Sequence, residues 1–328
     1  MNDIIMLATR LPAGQEAEYR AALAAAMPAE TIVPLREADA GGGGGGGRGG
    51  GGYAGPRAGA PIAVVARPDP AELAALPRLA WIQSLWAGVE QLVESLPATA
   101  PPVVRLVDPE MSRTMAEAVL AWTYYLQREM PAYRGQQQAR EWRQRPYRKP
   151  RDIQVGIVGL GTLGAAAAAR LLEAGFRVAG WSRSPKTMAG VDAHHGAEGL
   201  ARLLGASEIV VCLVPLTDET RGLFDRHTLA AMRPGAALIN FSRGPVVVTR
   251  DLLQALDAGR LSHAVLDVFE VEPLPEASPL WAHPAVTVLP HISAPTDLHT
   301  AAAVVAANVA AYRASGRIPA GVDLSRGY

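Results

Sequence analysis

Cysteine is almost absent from the 328 residues. Only Cys212 occurs, lysine stands only at Lys149 and Lys186, and aromatic residues make up 5%. One thiol closes no intrachain disulfide, so packing must hold the fold, and a reducing, cytoplasmic setting is expected. Cys212 lies inside IVVCLVP and reads as a small buried hydrophobe, not a nucleophile. No excess of either charge exists: 31 Lys+Arg face 31 Asp+Glu. That balance argues against nucleic acid or an anionic membrane surface as a partner. No apolar run approaches membrane-spanning length, and MNDIIMLATR lacks a basic-then-apolar leader pattern. No metal is expected.

What the chain does have is apolar content, 49% of residues, over a length that suits two domains. Residues 1–99 alternate strand-like runs (Ile4–Ala8, Ile62–Ala66, Leu79–Leu85) with Ala-rich stretches such as Gln15–Met27, an α/β pattern. Gly41–Gly52, broken only by Arg48, cannot bury apolar surface and is expected to be a flexible surface insertion. Met111–Met130 reads as a long amphipathic arm helix. The Arg-rich run RGQQQAREWRQRPYRKPR follows it and reads as a solvated connector or subunit-contact arm rather than a nucleic-acid site. From 153 to 291 strands and helices alternate as in a doubly wound sheet. The helix Leu298–Arg313 is expected to return to the first domain. The expected organisation is therefore a discontinuous domain over 1–100 and 292–328, with a dinucleotide-binding domain inserted over 101–291.

The segment IQVGIVGLGTLG, residues 153–164, carries the first chemistry. A β-branched apolar run enters Gly159-Leu160-Gly161-Thr162-Leu163-Gly164 and then an Ala-rich helix. In that setting the first glycine permits the turn, the second admits a pyrophosphate, and the third lets helix and strand pack closely. Unpaired N–H groups at the helix start complete the phosphate site. About twenty residues on, an NAD site places an acid on the ribose hydroxyls. Here Ser182, Arg183, Ser184 and Lys186 stand instead, cations and hydroxyls suited to a 2′-phosphate. NADPH is expected over NADH, with NAD possible.

Three later strands end in polar residues. Phe241-Ser242-Arg243-Gly244 follows one, Val268-Phe269-Glu270-Val271-Glu272-Pro273 the next, and Pro290-His291 the third. Loops at the carboxyl ends of parallel strands carry the site in such sheets, so an arginine, a glutamate and a histidine can converge there.

In order, GLGTLG, FSRGPVV, DVFEVEPLP and LPHIS resemble the D-isomer-specific 2-hydroxyacid dehydrogenases. More narrowly, SLWAGVEQLV, WSRSPK, SPLWAHPAVTVLPHISA and the ending DLSRGY resemble the glyoxylate/hydroxypyruvate reductase A subgroup. The resemblance implies two Rossmann-like domains, a flavodoxin-like substrate domain with the dinucleotide domain inserted. It implies His291 as the general acid, Glu272 rather than Glu270 as its partner, and Arg243 as the group that binds and polarises the 2-oxo acid. Asp267 would face the nicotinamide carboxamide, and N–H groups around Trp86-Ala87-Gly88 would receive the substrate carboxylate. A homodimer through Met111–Arg151 is implied as well, with Trp142 either reaching the partner subunit or packing within its own chain.

Two positions depart from the subgroup. Trp86 stands where a glycine is usual and either enters the pocket or packs as core, and Ser293 replaces a more usual alanine. The expected activity is NADPH-dependent reduction of small 2-oxo acids such as glyoxylate and hydroxypyruvate. A bulkier 2-oxo acid, an NAD preference, or a nucleotide-sensing co-repressor role on the same scaffold are the alternatives.

Overall fold

The computed structural model describes residues 4–37, 59–97 and 99–323. The glycine tract Gly41–Gly52 and most of DLSRGY lie outside the described residues. Two compact units emerge: Met1–Asp108 with Thr296–Tyr328, and Pro109–Pro295. The first break falls at Asp108/Pro109 rather than at residue 100 because Val103–Val104 still pairs with the first sheet.

Unit 1 holds a five-stranded parallel sheet in the order β2-β1-β3-β4-β5, with β1 Ile4–Thr9, β2 Thr31–Pro34, β3 Ile62–Ala66, β4 Trp81–Ser84 and β5 Val103–Val104. Strands β3 and β4 are buried along their whole length; β3, IAVVA, is accordingly an unbroken apolar run, whereas β4, WIQS, buries Gln83 and Ser84 with their side chains hydrogen-bonded. The helix Leu298–Ser315 packs Ala302, Val305 and Val309 onto this core. Burying each of those valines contributes about 1.5–3 kcal/mol. The Arg313 guanidinium also pairs with Glu30 at 2.9 Å.

Unit 2 holds a seven-stranded parallel sheet in the order β12-β11-β10-β9-β6-β7-β8. Its strands are β6 Gln154–Val158, β7 Arg177–Ser182, β8 Val191–His195, β9 Ile209–Cys212, β10 Ala236–Asn240, β11 Leu261–Leu266 and β12 Val286–Val288. The order reverses beside β6, and a ligand crevice is expected at the carboxyl ends flanking such a reversal. Cys212 is fully buried at the end of β9, and burial pushes its thiol up to about 11.

Two local expectations need correction. The long helix runs Pro109–Gln127, not to Met130, because Glu129 adopts a left-handed conformation and Pro131 opens a second helix, Met130–Ala139. Part of the Arg-rich run is therefore helical. Strand β8 was also not foreseen: it is an edge strand, VDAHH, whose apolar face is only Val191 and Ala193, both partly buried. Among the described residues no helix is long and apolar enough to cross a membrane.

Candidate active site

Strand β6 delivers its chain into the glycine turn, and each glycine meets a different constraint. Gly159 has φ +115°, and a Cβ there would lie 2.8 Å from the Leu213 backbone. A Cβ on Gly164 would overlap the Gly159 carbonyl oxygen, so strand and helix Thr162–Glu173 approach as closely as a glycine allows. Gly161, by contrast, faces open space. A turn closed on both sides and open in the middle fits a pyrophosphate approaching the backbone.

At the end of β7, Ser182 Oγ donates to the Ser184 carbonyl at 2.7 Å. Lys186 Nζ donates to the Leu160 carbonyl at 2.6 Å, which places an ammonium on the glycine turn itself. The Arg183 guanidinium pairs with Glu219 at 2.9 Å. Glu219 was not singled out in the sequence, since 36 residues separate it from Arg183 and only the fold joins them.

The catalytic candidates sit at three neighbouring strand ends. At β10, buried Asn240 organises the turn: its Oδ1 accepts from the Ser242 hydroxyl at 2.6 Å, and its Nδ2 donates to the Arg243 carbonyl at 3.2 Å. Arg243 Nη1 donates to the Ser242 carbonyl at 2.7 Å. Gly244 lies so close to the Phe269 backbone that no side chain fits between them, which fixes the Arg243 loop beside the next one.

In that next loop the Phe269 N–H donates to Glu272 Oε1 at 2.9 Å, orienting the carboxylate. Its other oxygen, Oε2, lies 2.8 Å from His291 Nδ1. The pairing engages one ring nitrogen and leaves Nε2 for another partner. The ring is about half exposed, so that nitrogen is within reach of a ligand.

Asp267 explains how the histidine is held. The residue is 2% exposed, and its two oxygens accept the N–H groups of Ile292 at 2.7 Å and Ser293 at 2.9 Å. His291, just before them, has φ +55°, a conformation uncommon outside glycine. A buried carboxylate thus clamps the backbone that follows a strained histidine, a positioning role that no spacing in the sequence suggested. Ser293 is buried, with its hydroxyl unpartnered among the described residues.

Trp86, Ala87 and Gly88 belong to unit 1, after β4. The Trp86 backbone is tied to the Ser84 hydroxyl through both its N–H and its carbonyl at 3.0 Å. Its half-buried ring packs against the unit 1 core and carries the Arg67 guanidinium 5.7 Å above its centroid. Trp142 does not pack within its own chain: its side chain is 99% exposed.

A model for the NAD binding domain of D-isomer specific 2-hydroxyacid dehydrogenases matches residues 120–293. The chain is 42% identical over 273 residues to glyoxylate/hydroxypyruvate reductase A of Serratia proteamaculans, covering 81% of this chain and 87% of that one. The same enzyme of Yersinia enterocolitica is 38% identical over equal shares. Among solved structures, the D-isomer specific 2-hydroxyacid dehydrogenase of Xanthobacter autotrophicus Py2 in complex with NADPH and MES aligns over the whole of both chains at 39% identity and a TM-score of 0.88. The NADPH-dependent glyoxylate/hydroxypyruvate reductase of Sinorhizobium meliloti in complex with NADP and sulfate does so at 32% identity and 0.87.

Proposed function

Because the chain belongs to the D-isomer specific 2-hydroxyacid dehydrogenase family, whose members are oxidoreductases, we propose that it reduces small 2-oxo acids with NADPH. The reactions are glyoxylate to glycolate and hydroxypyruvate to glycerate, as the names of its relatives suggest. The observation that carries this reading is the His291–Glu272 pair beside Arg243, with Asp267 clamping the histidine's backbone.

Reducing a ketone or aldehyde builds negative charge on the carbonyl oxygen. When bound, a reduced nicotinamide would supply the hydride that reaches the carbonyl carbon. His291 gives that oxygen a proton from Nε2 and ends neutral, while Glu272 steadies the imidazolium beforehand through Nδ1. Arg243 binds the 2-oxo acid and stabilises the developing charge with a fixed guanidinium. Asp267 holds the histidine loop and borders the carboxamide side of the cofactor site.

For the cofactor, the open Gly161 and the N–H groups at Thr162 and Leu163 receive the pyrophosphate, with Gly159 and Gly164 shaping the turn. Ser182, Arg183 and Lys186 receive the 2′-phosphate, and relatives crystallised with NADPH and NADP support that choice. The Trp86-Ala87-Gly88 turn takes the substrate carboxylate, and the unpartnered Ser293 hydroxyl is a further substrate-side donor. A second copy pairs through Met111–Arg151, a reading supported by the exposure of Trp142 and Tyr147 in that segment.

The test follows NADPH and NADH absorbance with glyoxylate, hydroxypyruvate, pyruvate and phenylpyruvate, with His291→Ala as control. Fast NADPH oxidation with the two small acids is expected, falling roughly 10²–10⁴-fold in the variant. NADPH binding with no turnover on any acid would favour the co-repressor reading instead.

A further inference from the structure

We infer that a buried side-chain network, Cys212–Ser242–Asn240, positions Arg243 for the reaction, with the Cys212 thiol as its first hydrogen-bond donor. The inference rests on the reductase reading for what Arg243 does; the hydrogen bonds themselves all lie within unit 2.

Strand register brings the members together. Cys212 ends β9 directly opposite Asn240, which ends β10. Two residues later the loop turns Ser242 back toward both. Cys212, Ser242 and Asn240 are 0%, 4% and 1% exposed, so their polar atoms find partners in the protein rather than in solvent.

The direction of the network follows from its protons. Asn240 Nδ2 donates to the Arg243 carbonyl, which leaves Oδ1 facing Ser242. That oxygen accepts the Ser242 hydroxyl at 2.6 Å and the Ser242 N–H at 3.2 Å. A serine hydroxyl has one proton, and the first of these bonds uses it. At the 3.3 Å contact between Cys212 Sγ and Ser242 Oγ the thiol is therefore the donor. Burial holds that proton on sulfur at neutral pH.

The network ends on Arg243. Its Nη1 donates to the Ser242 carbonyl at 2.7 Å, so the residue that anchors the loop also holds the guanidinium. Ser242 is thus fixed at its N–H, its hydroxyl and its carbonyl together. Part-buried hydroxyls elsewhere in the unit close only their own turns. Thr220 donates to the Pro215 carbonyl and Thr228 to the Leu223 carbonyl, each five residues away. Here the contact spans 30 residues, joins two strand ends and stops at a charged side chain. An apolar residue at 212 could pack within β9 but could not donate.

The test joins a spectroscopic and a kinetic readout on the full-length protein. With one cysteine in 328 residues, the infrared S–H stretch is a single band. It should lie at lower frequency in the wild type than in Ser242→Ala, where the thiol loses its acceptor. Ser242→Ala should also lower kcat/KM for glyoxylate about 10–100-fold, and Cys212→Ala about 3–10-fold, each with a raised KM. Cys212→Ser keeps a donor and should recover most of the second loss. A merely destabilised variant would lose kcat at unchanged KM, because its folded molecules bind as before. An S–H band that does not move in Ser242→Ala overturns the network. An unchanged KM in both alanine variants, or a loss matched in NADPH affinity, overturns its hold on Arg243. If the wild type turns over no 2-oxo acid, the reductase reading falls, and calorimetry with oxamate, an inert 2-oxo acid mimic, reads Arg243 instead. Weakened oxamate binding in Ser242→Ala then keeps the network, and binding within about twofold of wild type overturns it.

Discussion

The sheet of unit 2 has a histidine toward each end of its neighbouring strands β11 and β12, and the two ends treat them differently. At the carboxyl ends, His291 is half exposed and paired through one nitrogen to a carboxylate. Toward the amino end of β11, His263 is 4% exposed, bonded to the Thr287 hydroxyl at 2.9 Å and flanked by the Tyr125 ring. Burial, with His283 and Arg134 nearby, pushes His263 down to about 4. It lines a cavity of about 440 Å³ together with Gln127, Arg145, Arg148, Glu208 and Ser262. Each guanidinium there already has a glutamate: Arg145 pairs with Glu129 and Arg148 with Glu208. The same residue type is kept neutral by burial at one end and kept reachable beside a carboxylate at the other. Both histidines adjoin strands of one sheet, so proximity to a strand says nothing about chemistry; exposure and partner decide it.

The carboxyl end breaks most readily at the clamp. Asp267→Asn replaces one acceptor with a donor that faces a backbone N–H, and an unsatisfied buried group costs about 1–3 kcal/mol. Turnover with glyoxylate should fall about 10–100-fold while NADPH affinity, read by fluorescence titration, changes little. A loss confined to NADPH affinity would mean that the cofactor, not the histidine loop, depends on Asp267.

At the other end the reporter is stability. His263 titrates near 4 when folded, against an ordinary value of 6.5. Between those pH values the unfolded chain holds the extra proton, so stability is complete above about 6.5 and declines as pH falls toward 4, by about 3 kcal/mol at most. His263→Gln should flatten that part of the melting-temperature profile and leave activity at neutral pH unchanged. A variant with the wild-type slope would assign the acid sensitivity elsewhere.

The smallest effect concerns Glu219. An exposed pair is worth about 0–1 kcal/mol, so releasing Arg183 by Glu219→Gln should tighten NADPH binding by no more than about fivefold and leave NADH unaffected. Equal gains for both cofactors would detach Arg183 from the 2′-phosphate.

Much of this was legible in the chain itself. Strands buried on both faces announce themselves as apolar runs, and the glycine turn states its geometry because backbone approach leaves no alternative residue. Side chains that meet across the fold were not legible. Asp267 acts on backbone N–H groups 25 residues away, which have no residue signature, and Glu219 reaches Arg183 only because β7 and the chain after β9 end together. The Gln-rich helix Met130–Ala139 lacks an apolar stripe and so read as connector.

The return of Leu298–Ser315 to the first sheet also sets a timetable. During synthesis, residues 109–295 leave the ribosome as one uninterrupted stretch and can close their own core at once. The earlier-made strands must wait for Ala302, Val305 and Val309, with Trp81 and Leu85 short of a covering helix meanwhile. The part of the protein translated first is therefore the part finished last.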